Sequence, residues 1–154
     1  MVEFALVVPI FLLVVLAFFE IGRGVFAYNS ITNAAREGAR LAIVNQDANL
    51  IKQRAIAQTA VAETTTPNLT VAFKEPDASG NPSGTNCAAT APTLARAGCV
   101  AVVTYQTTFR PITPIISRVL WPNGITVTAT SVETIEYACP NKTISVSADC
   151  PRQP

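Results

Sequence analysis

The chain has 154 residues, with 11 lysines and arginines, 10 aspartates and glutamates and no histidine, which gives a formal net charge of +1. This length predicts one globular domain, and the balanced charge gives no indication of a nucleic-acid partner. Only 14% of the residues are charged, while threonine, serine, asparagine and alanine are abundant. That composition is more typical of an extracellular surface than of a cytoplasmic enzyme.

A long apolar run dominates the N-terminal part of the sequence. Sixteen uncharged residues (4–19) lie between Glu3 and Glu20. Burial of one large apolar side chain is worth roughly 1.5–3 kcal/mol, so the run is expected in a bilayer, in a protein core or in a bundle of its own copies. The acidic start and the missing small-residue cleavage site argue against a cleaved secretory signal peptide. Pro9 lies inside the run and predicts a kink or local unwinding.

The helical pattern continues to residue 44. Small and apolar residues recur on one helix face there: Ile31, Ala34, Ala35, Gly38, Leu41 and Ala42. Such a face lets another backbone approach closely, either within the chain's own domain or in another subunit. Glu20 and Arg23 are three residues apart, which predicts either a pair on one helix or a contact that fixes register between neighbouring helices. Arg36, Glu37 and Arg40 predict a solvated or domain-facing charged cluster.

The remaining sequence predicts a second helix and a small antiparallel sheet. The helix is predicted over residues 48–62 after a cap at Asp47. Strands are predicted over residues 69–74, 99–109 and 124–132, with a long loop over 76–98, a short helix after Pro114 and a short strand over 143–147. The fold class is therefore α+β, with a long N-terminal hydrophobic helix at residues 1–44 and a globular domain at residues 45–154.

The cysteines predict disulfides. They are Cys87, Cys99, Cys139 and Cys150, and none forms a C-x-x-C pair. Two bridges in an oxidising compartment explain them better than a zinc site does, because the chain has no histidine. Three pairings are open. The local pairs Cys87–Cys99 and Cys139–Cys150 would each close a loop of about a dozen residues, worth roughly 3 kcal/mol.

Other functional motifs are sparse. The absence of histidine, of a glycine-rich phosphate loop and of metal-ligand spacing predicts that the chain is not an enzyme. We expect no cofactor, no bound metal and no small-molecule substrate. Asn68 and Asn141 fit the N-x-[ST] pattern for N-glycosylation.

The N-terminal residues resemble a known family. Three stretches look like the start of TadE-type pilins. They are the mostly apolar residues 2–16, the segment Glu20-Ile-Gly-Arg23 and the segment Tyr28-Asn-Ser-Ile-Thr-Asn-Ala-Ala-Arg-Glu-Gly-Ala-Arg40. These belong to tight-adherence (Tad) pili, within the type IV pilin superfamily. The resemblance implies a precursor held in the cytoplasmic membrane, processing by a prepilin peptidase and assembly by an ATPase-driven machinery. It also makes Glu3 the counterpart of an early glutamate that neutralises a neighbouring subunit's N-terminal amine.

The function expected from these features is that of a structural pilin in an extracellular filament for surface attachment. The homopolymer would form through the N-terminal helix, with subunit contacts expected at Glu3, Phe4, Pro9, Glu20, Gly22, Arg23 and Gly24. Two alternatives stay open. One is a minor pilin or pseudopilin that primes or tips such a filament. The other is a single-pass, membrane-anchored surface binding protein that does not polymerise.

Overall fold

The computed structural model describes residues 2–59, 68–87, 95–113, 117–118 and 122–136. Two helices and one four-stranded antiparallel sheet are formed by these residues. The elements are α1 (Val2–Val44), α2 (Ala48–Ala57), β1 (Asn68–Pro76), β2 (Pro82–Asn86), β3 (Val100–Phe109) and β4 (Ile125–Thr134). The predicted α+β layout is thereby confirmed.

Helix α1 consists of two halves with different surroundings. Residues before Ala27 are mostly exposed, whereas from Ala27 onward one face is buried against β3, β4 and α2. The predicted face of small residues is this buried face, and it packs within the chain itself. At Gly38 an added Cβ would lie 3.2 Å from Ala55 Cβ and 3.2 Å from Val103 Cγ1. A larger residue at this position would therefore require α2 or β3 to move away slightly.

Pro9 does not interrupt α1, which is helical without a break from Val2 to Val44. The local unwinding expected at this position is therefore not found. Proline removes only the one hydrogen bond that its own nitrogen would donate, and the flanking turns keep theirs. The packed core includes α1 from Ile31 onward, and the division of the chain at residue 44 stays a prediction.

Helix α2 begins as predicted and ends earlier than predicted. Asp47 caps it, because its side chain accepts a hydrogen bond from the Asn49 backbone N–H at 2.9 Å. The helix ends at Ala57, where Gln58 N–H donates to the Ala55 carbonyl at 3.2 Å and closes the last turn. The predicted end at residue 62 was wrong by five residues, since periodic alanines do not by themselves mark where a helix stops.

An ion pair joins the two helices. Arg54 donates from Nε and Nη2 to Glu37 Oε1 at 3.1 and 2.9 Å. Arg36 and Arg40, the other members of the predicted cluster, are exposed. The cluster thus has one member directed at α2 and two directed at solvent.

The sheet has the strand order β2-β1-β3-β4, with β3 in its interior. On β3, side chains of one parity face α1 and are buried: Ala101, Val103, Tyr105 and Thr107. Phe109 pairs with Ile125, and Val100 pairs with Thr134. Phe109 therefore lies at the end of the sheet near the exposed half of α1, and Val100 lies at the opposite end.

Strand β2 replaces part of the loop predicted over residues 76–98. It pairs with β1 at Lys74↔Asn86 and Pro76↔Pro82. The sequence Pro-Ser-Gly-Thr-Asn has little strand propensity, but β2 is an edge strand held by backbone bonds, and Pro82 occupies its first position.

A disulfide joins the end of β2 to the start of β3. Cys87 and Cys99 are bridged, with their Cα atoms 6.1 Å apart, as expected for the local pairing. Cys139 and Cys150 lie outside the described residues, as do Asn141, the predicted strand over 143–147 and the start of the predicted helix after Pro114.

Gly124 is required by the turn that leads into β4. Its φ is +77°, and an added Cβ would lie 2.8 Å from the Phe109 carbonyl oxygen. We expect Gly124→Ala to lower the free energy of unfolding by about 2 kcal/mol, because the side chain is both strained and obstructed. Urea unfolding of the full chain in detergent measures this loss. Gly84→Ala is the control, since an added Cβ there meets nothing within 4 Å; equal losses in both variants would contradict the assignment.

Candidate functional site

The exposed half of α1 is the most unusual surface of the described chain. We call residues 4–26 the apolar half of α1. Its large apolar side chains point to every side of the helix, with Phe4 74% and Phe11 62% exposed. The exposed members are Phe4, Leu6, Val7, Ile10, Phe11, Leu12, Leu13, Val14, Leu16, Phe18, Phe19, Ile21, Val25 and Phe26. A helix that is apolar all round is one that lipid or other protein surrounds.

The dimensions of this half fit a bilayer. Its residues span about 34 Å at 1.5 Å each, against a hydrocarbon thickness of about 30 Å. By length and composition, α1 is the one described helix that qualifies as a candidate membrane span, and its apolar window is not buried within the chain.

Glu20 connects α1 to the segment between β3 and β4. Its Oε1 accepts hydrogen bonds from Ile112 N–H at 2.7 Å, Thr113 N–H at 2.9 Å and Thr113 Oγ1–H at 2.9 Å. Its Oε2 accepts from Arg23 Nη1 at 3.2 Å, so the predicted pair on one helix is present. The side chain is 11% exposed. We call this arrangement the Glu20 corner; it fixes the sheet relative to the apolar half.

Arg23 and Gly24 complete this corner. The Arg23 guanidinium carbon lies 5.5 Å from the Phe109 ring centroid, a cation–π contact. A Cβ added to Gly24 would lie 3.9 Å from the same ring. Gly24 therefore faces the chain's own β3 and not the surroundings of the helix.

Gly22 lies differently from Gly24. A Cβ added to it would meet nothing within 4 Å. It lines an open apolar groove on α1 with Val15, Phe18, Phe19, Arg23 and Phe26. Of the two glycines predicted as packing positions, Gly22 is the more open to a neighbouring helix.

The other predicted residues lie far from this corner. Glu3 and Phe4 are exposed in the first turn of α1, and Pro9 is exposed farther along. Glu3 is about 25 Å from Glu20 along the helix axis. Asn68 is exposed at the start of β1, where its Nδ2 lies 3.4 Å from Gln106 Oε1. The predicted assembly residues thus form a distal group and a corner group on α1.

One cluster has metal-ligating atoms but is not suited to a metal. Glu75, Cys87 and Cys99 have such atoms within 4.8 Å of one another. Both sulfurs belong to the disulfide, and Glu75 is paired with Arg96. Bridged sulfurs are not thiolate ligands, so this cluster gives the chain no cation site.

Comparison with known proteins gives a family match in the N-terminal part of the chain. The family model described as TadE-like protein matches residues 1–40. Residues 1–40 are TadE-like. No curated protein and no solved structure matches the chain. The TadE-like segment covers the whole apolar half of α1 and most of its packed half, including both groups of predicted assembly residues.

The hydrogen bonds from Ile112 and Thr113 to Glu20 were missed in the sequence, because these residues lie 92 and 93 residues beyond it. We expect Glu20→Ala to lower the free energy of unfolding by about 2 kcal/mol, since the part-buried Thr113 groups lose their acceptor. Glu20→Gln keeps one acceptor oxygen, so its free energy of unfolding should fall by about half as much. Denaturant unfolding of the full chain in detergent measures both; two variants as stable as the original chain would show that the corner contributes nothing.

Proposed function

We propose that the chain is a structural pilin of a Tad-type pilus, and that the apolar half of α1 packs against the same segment of neighbouring copies. The observation that carries the proposal is the exposed apolar half, continuous with a helix half that packs on a disulfide-linked domain. The match of residues 1–40 to TadE-like proteins supports a role associated with Tad pili.

The energy of burial supports an apolar half that is covered by lipid or protein. Its exposed side chains are worth at least on the order of 10 kcal/mol when removed from water, so an aqueous monomer is excluded. The helix first lies in the cytoplasmic membrane and then exchanges lipid contacts for contacts with other copies. Lipid tails are as apolar as leucine, so this exchange is driven by close packing between helices. The open surface at Gly22 favours such an approach.

Glu3 has a specific role in this mechanism. It is an exposed carboxylate at the end of the apolar half. In an apolar bundle an unpaired carboxylate is very costly. We propose that Glu3 neutralises the N-terminal amine of a neighbouring subunit, as the family resemblance implies. Phe4 beside it and Pro9 farther along α1 are also exposed, and they would contact neighbouring copies.

The compartment and the assembly partners follow from the same proposal. A prepilin peptidase would process the precursor, and an ATPase-driven machinery would assemble it. The domain would then lie on the cell surface, which agrees with its Cys87–Cys99 bridge, because such bridges persist in oxidising compartments. N-glycosylation at Asn68 and Asn141 stays a prediction.

Electron microscopy of purified surface filaments, with mass spectrometry of their subunits, tests the proposal. We expect this chain to be the main component, and a deletion strain to lack the filaments. A trace amount in filaments built from another subunit would indicate a minor pilin or pseudopilin. Recovery only from detergent-extracted membranes would indicate an anchored binding protein. Either result would overturn the role as principal subunit.

A further inference from the structure

We propose that Arg110, Ile112 and Arg118 form a surface that contacts the lipid headgroups of the membrane in which α1 lies before assembly. We call these three residues the headgroup surface. The inference rests on the proposed function, because it requires α1 to be inserted. It adds a second membrane contact, made by the sheet domain rather than by the helix.

The depth of the headgroup surface follows from the length of α1. The twenty residues from Phe4 to Arg23 span about 30 Å, which equals the hydrocarbon thickness of a bilayer. Glu20 and Arg23 therefore reach the boundary between hydrocarbon and headgroups. Glu20 Oε1 holds the Ile112 backbone nitrogen at 2.7 Å, so Ile112 lies at the same level. Its side chain is 69% exposed although it is apolar.

The charges around Ile112 fit a headgroup region. Arg110 and Arg118 are both exposed. Ser117 N–H donates to the Thr113 carbonyl at 2.9 Å, which keeps Arg118 next to the corner. The Glu20 carboxylate is occupied by hydrogen bonds within the chain. The surface therefore offers two exposed arginines, whose guanidinium groups pair with lipid phosphates, close in the chain to an apolar side chain that can enter the acyl boundary.

The opposite end of the sheet has a different character. The turn between β1 and β2 is polar and exposed, and Asp77 there accepts hydrogen bonds from Ser79 and Asn81 backbone N–H groups at 2.8 Å. It lies beyond Val100, at the end of the sheet away from Phe109. This turn offers no cation and no large exposed apolar side chain, so it serves as the internal control.

The test places an environment-sensitive fluorescent amino acid at position 112 of the full chain by codon suppression. Matched probes replace Ser79 in the distant turn and Phe11 in the apolar half. The protein is reconstituted in phosphatidylcholine vesicles, with and without phosphatidylglycerol, that carry nitroxide quenchers at the headgroup or deep in the acyl region. We expect headgroup quenching of the probe at 112 to exceed that at 79 by roughly threefold or more, with a further increase in anionic vesicles.

Arginine variants test the charge. The double variant Arg110→Gln, Arg118→Gln should remove the increase in headgroup quenching at position 112 that phosphatidylglycerol causes. Arg36→Gln with Arg40→Gln is the control pair, because these exposed arginines lie on α1 about 20 Å beyond the boundary. We expect this pair to keep the increase; equal behaviour of both pairs would overturn the role of Arg110 and Arg118.

The probe at Phe11 separates this inference from the proposed function. If it is quenched by deep nitroxides while the probe at 112 is not quenched at all, α1 inserts and the headgroup surface is wrong. If the emission of the probe at 112 shifts to the blue without quenching, a second copy covers this position, which also overturns the inference. If the probe at Phe11 is not quenched, insertion fails, and the proposed function fails with it.

Discussion

Phe11→Asp should abolish filament formation and leave the packed domain folded. Phe11 is 62% exposed near the middle of the apolar half, so the domain loses few contacts of its own. An aspartate at the centre of a spanning helix costs about 2.5–3.5 kcal/mol on insertion. Between neighbouring helices an unpaired carboxylate costs several kcal/mol more. Electron microscopy of the cell surface measures filament formation, and immunoblots of membrane fractions measure insertion. Thermal unfolding shows whether the packed domain is folded.

Two further variants make this result specific. Thr85→Asp introduces the same charge on exposed strand β2, and we expect normal filaments from it. Phe11→Ala keeps the helix apolar, so it should insert normally but give fewer filaments, because a contact between copies is lost. Wild-type filament yield from Phe11→Asp would show that this surface is not covered during assembly.

Loss of the Cys87–Cys99 bridge has the largest effect expected on the domain itself. Cys87→Ala with Cys99→Ala should lower the free energy of unfolding by about 3 kcal/mol, since a loop of about a dozen residues is no longer closed in the unfolded chain. Both cysteines are buried, with Cys99 fully enclosed. For a domain of this size such a loss is a large fraction of a total stability of about 5–15 kcal/mol.

Urea unfolding in detergent measures the loss, and peptide mapping without reductant identifies the bridge. We expect peptides that contain Cys87 and Cys99 to be linked, and the unfolding midpoint of the double variant to lie below that of the oxidised wild-type chain. A link from Cys87 to Cys139 or Cys150, or an unchanged midpoint in the double variant, would contradict the pairing.

Local patterns were sufficient to predict α1, its buried face and most of the sheet. The spacing of Ile31, Ala34 and Ala35 is a property of one helix turn and the next, so it is visible without the fold. The same holds for the alternation on β3. Strand β2 was missed because its pairing with β1 depends on backbone bonds, which the side chains of Pro82 and Gly84 do not indicate.

The candidate site was predictable in its residues but not in its contacts. The apolar run and its flanking charges pointed to Glu20, Arg23 and Gly24 as a group. Their partners Phe109 and Thr113 lie far beyond them along the chain, and no local pattern connects them. Gly24 lies against the Phe109 ring of its own chain, and its expected contact with another subunit stays a prediction. Gly22, two residues earlier, remains open to a neighbour.

Photo-crosslinking within isolated filaments tests the central claim most directly. A photoreactive amino acid would replace Phe11 in the apolar half or, as the control, Thr85 on exposed β2. We predict covalent dimers of this chain through position 11 and few through position 85. Crosslinks from position 11 only to lipid, or only to a different polypeptide, would contradict packing of the apolar half among identical copies.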